Sequence, residues 1–428
     1  MNIKKSIKSV SFLLTAALFG SGSTFIINMI IARNLGSESY GAFSSAMATV
    51  LVFSIFASFG VSQVWLKLFG EEGYVGIRWI KPSLKFITIN LIITSFSLAL
   101  WAFFGPHAEQ TKLMLLIMIM HIYGYVAVLL VAAKFQLEEK YQVLSFWQLL
   151  PNISRLLAVF IGFYIFDKSL SILDISVIYG IIGFVFFVIG AYLLYHMQKG
   201  QFNPAGHKEN NNPGHLVNPK TKELFFEALP FGLGGIFAFV FVQSDIIMLK
   251  YISGNVEAGL YAAAFVIINA IYLIPNILYS KFLMPKFHRW ANHDRKKFYE
   301  TYKKGNVFML SIGIVFTLGI LLLADFFIPL IFGEDYINSI PLLKVLSLTI
   351  PVIFMGYSVS ATLVTKDNMK KKVVYMGIVA LLNICLNSLL IPIFQSKGAA
   401  YATIFTNLIL IGIYYLANNK YVFNDDNL

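Results

Sequence analysis

The 428-residue chain has a single cysteine, Cys385, so it forms no internal disulfide and no cysteine-based zinc site. It is also poor in charge, with 13% Asp, Glu, Lys and Arg, where an average soluble domain has about 25%. Twenty-one acidic and 33 basic residues cannot clothe a soluble fold of this size while 40 Phe, 22 Tyr and 5 Trp compete for burial. Most of the surface must therefore face lipid. The familiar catalytic patterns are missing as well: there is no HExxH, no phosphate-cradling glycine loop ending in Lys-Ser or Lys-Thr, no nucleophile elbow, and no His and acid paired at helical spacing. The net charge of +12 does not indicate nucleic acid, because the basic residues lie between apolar stretches and form no continuous face.

What is present is a succession of apolar runs, each about 20 residues long, the length needed to cross about 30 Å of hydrocarbon. About twelve can be cut from the chain, at 10–31, 42–66, 86–104, 113–133, 143–166, 175–195, 226–249, 262–283, 307–324, 341–364, 373–394 and 399–417. The first follows Lys4, Lys5 and Lys8 like a signal peptide, but it is long and leads directly into further spans, so it reads as a retained helix. The loops alternate in charge. One face collects most of the Lys and Arg, including Lys208 in the central linker and Lys366 before the eleventh span; the other holds only Arg33, Lys112, Lys168, Lys250 and Lys397. Positive loops resist translocation, so the rich face and both termini are expected to be cytoplasmic. On the opposite face the longest loop, 325–339, is too short to house an active site, and the chain reads as a non-enzyme.

The longest polar segment, 196–222, carries Pro204, Pro213 and Pro219 with several Asn and Gly, and reads as a linker. It separates an N-terminal lobe of six helices, 1–195, from a C-terminal lobe of six, 223–428. The halves echo one another: Gly36, Gly41 and Phe43 after the first span match Gly254, Gly259 and Tyr261 after the seventh, and Phe104-Gly105 matches Phe332-Gly333. Duplicated lobes of this kind suit an all-α polytopic carrier with a path between them.

Polar residues inside spans are costly and mark candidate sites. Arg155 lies in the fifth span behind Gln148 and Asn152, at intervals of four and three, so the three share one helical face. Asp245 follows Gln243 and Ser244 in the seventh span, and Lys344 sits in the first turn of the tenth, where it can also snorkel to the interface. Asn269, Tyr272, Asn276 and Tyr279 line one face of the eighth span, as a pore lining or as interhelical glue; Asn383 and Asn387 are four apart in the eleventh. His121, in the fourth, reads as a packing residue bonded to a carbonyl. The first six spans contain no acid.

The segments ARNLGSESYGAFSSA after the first span, EALPFGLGGIFAFVFVQSDIIMLKYISGNVEAGLYAAA across the seventh, IFGEDYINSIPLLKVLS before the tenth and KGAAYAT before the twelfth resemble the polysaccharide-transporter branch, the Wzx-type O-antigen and capsule flippases, of the multidrug/oligosaccharidyl-lipid/polysaccharide (MOP) superfamily. The resemblance implies a MATE-like fold of twelve helices that moves an undecaprenyl-diphosphate-linked oligosaccharide to the outer leaflet of a bacterial inner membrane. It implies the acidic position of a D-x-x-x-L pattern at Asp245; as a partly buried acid, Asp245 is also the expected site for H⁺ or Na⁺ as a coupling ion, with no other cofactor expected. Polysaccharide polymerase and ligase machinery are the protein partners such a carrier would serve. Within this frame Arg155, Gln148, Asn152, Lys344, Asn269 and Asn276 are expected to bind substrate, with Arg155 gripping the diphosphate. The alternative, a cation-coupled drug exporter of the same superfamily, would favour an acidic cavity in the first lobe. A lipid II flippase would have about fourteen spans, where this chain has about twelve.

Overall fold

The computed structural model describes residues 3–166, 169–205, 218–363 and 369–423. Lys168, Lys208, Lys366 and the middle of the linker, 206–217, lie outside them. Among the described residues every regular element is helical. The long elements are α1 (Ile3–Ser58), α3 (Ile80–Phe104), α6 (Tyr141–Phe160), α7 (Ile172–Gln198), α8 (Thr221–Ser253), α9 (Asn255–Asn276), α11 (Arg295–Phe332) and α14 (Met369–Tyr421). Shorter helices complete the chain: α2 (Val61–Glu72), α4 (Glu109–Ile117), α5 (Ile119–Leu137), α10 (Met284–His293), α12 (Ser339–Ser347) and α13 (Thr349–Leu363).

By length and composition alone, eight helices can cross a membrane, or nine with the bent pair α12 and α13. Two of these are compound. α1 is broken at Gly36, whose φ of 73° is open to glycine and costly for other residues. Beyond it Tyr40 Oη donates to Asn28 Oδ1 at 3.1 Å; twelve residues of straight helix would separate the two by about 18 Å, so the chain doubles back. α14 is broken in the same way at Gln395, with φ 52°. Counting two arms each for α1 and α14, and adding α3 from the continuous stretch Ser11–Phe104, gives the twelve spans read from the apolar runs. The second run proves shorter than 42–66: positive φ at Phe59 and Gly60 ends the span, and α2 begins as a separate helix with Trp65 and Phe69 fully buried.

The chain forms two compact units, residues 1–27 with 46–239, and residues 28–45 with 240–428. In the first, α5 and α7 approach at backbone distance. A Cβ built on Gly124 would lie 2.4 Å from Gly183 O, and one on Gly183 2.6 Å from Met120 O. Small residues give membrane helices this intimacy where the hydrophobic effect cannot drive association. Trp147 Nε1 donates to Val128 O at 3.1 Å and ties α6 to α5.

In the second unit the hairpin tip 28–45 packs against the start of α9. A Cβ on Gly41 would fall 1.8 Å from Asn255 O, and one on Gly259 2.0 Å from Ser37 O. The echoed glycines thus meet each other, and Gly36 (φ 73°, ψ 171°) and Gly254 (φ 94°, ψ 174°) share one backbone conformation. The second echo is not conformational, since Gly105 has φ −72° and Gly333 φ 95°. Tyr336 Oη donates to Ala32 O and Arg33 Nη1 to Leu330 O, both at 3.1 Å, fixing the hairpin within the unit.

Candidate functional site

Two polar centres stand out, one in each unit. In the first, Arg155 projects from α6 toward α5 and α7. Its Nη2 lies 3.3 Å from His121 Nδ1, its Nη1 donates to Asn152 Oδ1 at 3.5 Å, and its guanidinium carbon sits 5.0 Å from the ring centroid of Tyr179. Because arginine has only donors, His121 Nδ1 must accept, which leaves the imidazole proton on Nε2. That nitrogen and Arg155 Nε are both buried and have no partner. Arg155 makes no ion pair among the described residues, so the charge of this partly exposed side chain is met only by neutral groups. A guanidinium so placed keeps donors for an anion.

His121 is therefore not bonded to a carbonyl, as the sequence suggested; its partner is the arginine, and its ring lies 5.7 Å from that of Tyr179. Of the expected stripe, the structure brings Asn152 and Arg155 together, with Asn152 Nδ2 at 3.4 Å from a Cβ built on Gly20 of α1, while Gln148 is exposed. Tyr179 carried no sequence signal, because its role depends on how α7 packs against α5.

In the second unit Asp245 of α8 is 2% exposed and holds a closed set of donors. Tyr261 Oη of α9 donates to Asp245 Oδ2 at 2.7 Å and Thr403 Oγ1 of α14 to the same oxygen at 2.5 Å. Asn387 Nδ2 donates to Asp245 Oδ1 at 2.6 Å and to Asn383 Oδ1 at 3.0 Å. Ser244 Oγ donates to Asn383 Oδ1 at 2.8 Å, and Asn383 Nδ2 donates to Thr406 Oγ1 at 3.3 Å. Asn387 and Thr403 are sixteen residues apart and reach one carboxylate only because α14 folds back at Gln395. One acceptor is left over: Asn387 Oδ1 is buried without a partner. Turning that amide over would bring its oxygen beside Asp245 and Asn383 Oδ1, an all-oxygen set suited to a small hard cation. Groups of three or more His, Cys, Asp or Glu are absent among the described residues.

The remaining predicted residues are dispersed. Lys344 is engaged by Asp325, its Nζ lying 2.7 Å from Oδ2 and 3.0 Å from Oδ1. The stripe on α9 divides: Tyr272 is bonded to Thr349 Oγ1 at 2.5 Å and Tyr279 is buried, whereas Asn269 and Asn276 are exposed. Tyr261 and Thr403 were not singled out by sequence as partners of Asp245, although both lie in segments that carry the family resemblance.

A capsular polysaccharide biosynthesis protein, CapF, of Staphylococcus aureus is 22% identical over 96% of this chain and 98% of its own length. An uncharacterized membrane protein of Methanocaldococcus jannaschii is 23% identical over 96% of this chain and 98% of its own. Among solved structures, the lipid II flippase MurJ in an inward closed conformation superposes with a TM-score of 0.72 at 16% identity, covering 95% of this chain and 87% of that one. A eukaryotic MATE transporter, AtDTX14, gives a TM-score of 0.64 at 13% identity over 98% of each chain. The fold is thus that of the MOP superfamily transporters. A sequence profile described as polysaccharide biosynthesis protein matches residues 6–291, two thirds of the chain, and the protein belongs to that family.

Proposed function

We propose that the protein is a flippase, which carries a polyprenyl-diphosphate-linked oligosaccharide from the cytoplasmic to the outer leaflet of the cytoplasmic membrane by alternating access, with both termini cytoplasmic. The diphosphate and sugars of such a lipid cannot cross hydrocarbon unaided, so the carrier must offer them a wet, cationic site that opens to one side at a time while the polyprenyl tail stays in lipid. The observation that carries this reading is Arg155, a membrane-embedded guanidinium with neutral partners and no acid. In a member of the polysaccharide biosynthesis family it is the natural clamp for the diphosphate or for an acidic sugar. Lys344, engaged by Asp325, adds no free charge to that clamp.

Asp245 is proposed as the coupling site. Uptake of Na⁺ or H⁺ there would reorganise donors on α8, α9 and α14 together, and so bias the second unit between two arrangements. The test is a gene deletion complemented with wild type, Arg155→Ala or Asp245→Asn, followed by assignment of polyprenyl-linked glycan to one leaflet. Accumulation in the cytoplasmic leaflet that wild type relieves and Arg155→Ala does not is the expected result. Outer-leaflet glycan unchanged by the deletion refutes the flippase reading, and drug efflux lost in the same strain would put a drug exporter in its place.

A further inference from the structure

The segment from α10 through the first three turns of α11 is strongly basic. Residues 284–304 hold seven Lys or Arg against two acids, a net charge of +5 with His neutral. The apolar side of α10 is already used: Phe287 is fully buried, 5.4 Å from the ring of Phe298 on α11, and Ala291 is 3% exposed. Arg289, on its other side, is exposed.

The two acids do little to neutralise it. Asp294 caps α11, accepting from Lys297 N at 3.1 Å. Glu300 reaches Lys304 only at 3.9 Å with both side chains exposed, a contact worth little in water.

Along α11 the exposed side changes character at one point. Lys296, Lys297, Lys303 and Lys304 are exposed, and so, in register with them, are Val307 and Phe308, at 66% and 58%. The apolar exposed face then continues through Val315 and Leu322. The edge of the hydrocarbon on this side therefore falls near residue 306. At about 1.5 Å per residue, Lys303 and Lys304 stand about 3–5 Å beyond it, among the lipid headgroups, and Lys296 and Lys297 about 14–15 Å beyond it, close enough for long side chains to feel the anionic surface. Trp290 lies beside Lys297, whose Nζ is 5.1 Å from its ring.

From this placement we infer that the basic face of α10 and α11, built around Arg289, Lys296, Lys297, Lys303 and Lys304, is a binding site for the headgroups of anionic phospholipids in the adjoining leaflet. The site is independent of the transport reading, since it requires only that α11 cross the membrane. Its occupant is lipid, because the charge begins at headgroup depth with Lys303 and Lys304 and runs without a break into a lipid-facing helix.

The test uses the full-length protein in detergent, titrated with dioleoylphosphatidylglycerol or dioleoylphosphatidylcholine and followed by thermal unfolding. Phosphatidylglycerol should stabilise wild type and phosphatidylcholine should not. The triple change Arg289→Gln, Lys296→Gln, Lys297→Gln should weaken the phosphatidylglycerol response about tenfold or more, as expected for removing three charges from an anionic surface. Loss of three charges in the other unit, by Lys81→Gln, Lys85→Gln and Lys222→Gln, should leave that response in place. If the α10–α11 triple does not fold, wild type alone decides, because raising salt from about 0.05 to about 0.5 M should abolish most of the phosphatidylglycerol effect. An effect that survives salt or the α10–α11 triple, that falls equally with the control triple, or that inorganic phosphate or undecaprenyl diphosphate reproduces without phospholipid overturns the assignment.

Discussion

The hydrogen bond from Tyr261 to Asp245 can be removed with little other change. Its donor oxygen is 2.7 Å from Asp245 Oδ2 and 3.2 Å from Thr403 Oγ1, deep inside the second unit. At the equivalent point of the first repeat the chain carries Phe43, only 2% exposed, so a phenylalanine ring is a natural occupant of such a site. Tyr261→Phe therefore deletes a donor without deleting volume. A hydrogen bond to a charged acceptor contributes about 1.5–3 kcal/mol, so the folded-to-unfolded ratio should fall by about tenfold to 150-fold. The assay is equilibrium unfolding of the purified protein in mixed micelles with sodium dodecyl sulfate, run for Tyr261→Phe in both the wild-type and Asp245→Asn backgrounds. Against the neutral amide the same deletion should cost only about 0.5–1.5 kcal/mol, leaving a coupling energy of about 1 kcal/mol between the two positions. A cost below about 0.5 kcal/mol in wild type, or equal costs in the two backgrounds, would show that the acid is not an ionised acceptor and would undo this account of the site.

Further outcomes follow from the same geometry. Sodium at tenfold its dissociation constant should raise stability by about 1.4 kcal/mol in wild type, read as a rise in melting temperature over potassium, and Asp245→Asn and Thr403→Val should abolish the difference. Gly41→Val should cost about 3 kcal/mol or more, seen as loss of the monodisperse peak on size exclusion, because its Cβ would fall 1.8 Å from Asn255 O. Gly22→Ala, with nothing within 4 Å, should instead be neutral or slightly stabilising. In the turn between the second and third spans, Arg78 holds the Glu72 carboxyl below its ordinary value of 4.5. The stabilisation from that pair is complete above about pH 4.5 and is lost as pH falls through the lowered folded value, so Glu72→Gln should flatten the acid limb of the stability curve.

The spans were legible because apolar run length is a strong signal in lipid, and the alternation of charged loops gave the same count. The breaks at Gly36 and Gln395 were legible as turns, but only the fold shows that α14 doubles back to bring Asn387 and Thr403 onto one carboxylate. The charged members of both centres, Arg155 and Asp245, announce themselves by the cost of burying charge. Several neutral partners do not: Tyr179, Tyr261 and Thr403 are ordinary residues of apolar helices until packing supplies the neighbour, and His121 was visible without its partner. The stripe on α9 divides between the two readings the sequence left open. One helical face is wide enough for Tyr272 and Tyr279 to turn inward while Asn269 and Asn276 stay at the surface.

The meeting of Gly41 with Gly259 aligns the two repeats residue for residue, at an offset of 218 from Gly36 to Gly254 and from Gly41 to Gly259. Carried back along the helices, that offset sets Ile27 opposite Asp245 and Phe43 opposite Tyr261. One copy is apolar where the other is polar, at both members of the pair. Exchanging Tyr261 alone would strip Asp245 of a donor, and exchanging Asp245 alone would leave the Tyr261 hydroxyl with Thr403 only, so each single exchange costs stability. The pair behaves as one inherited character with two sites. Through it two repeats that match at their glycines differ in the polarity of what those glycines hold in place.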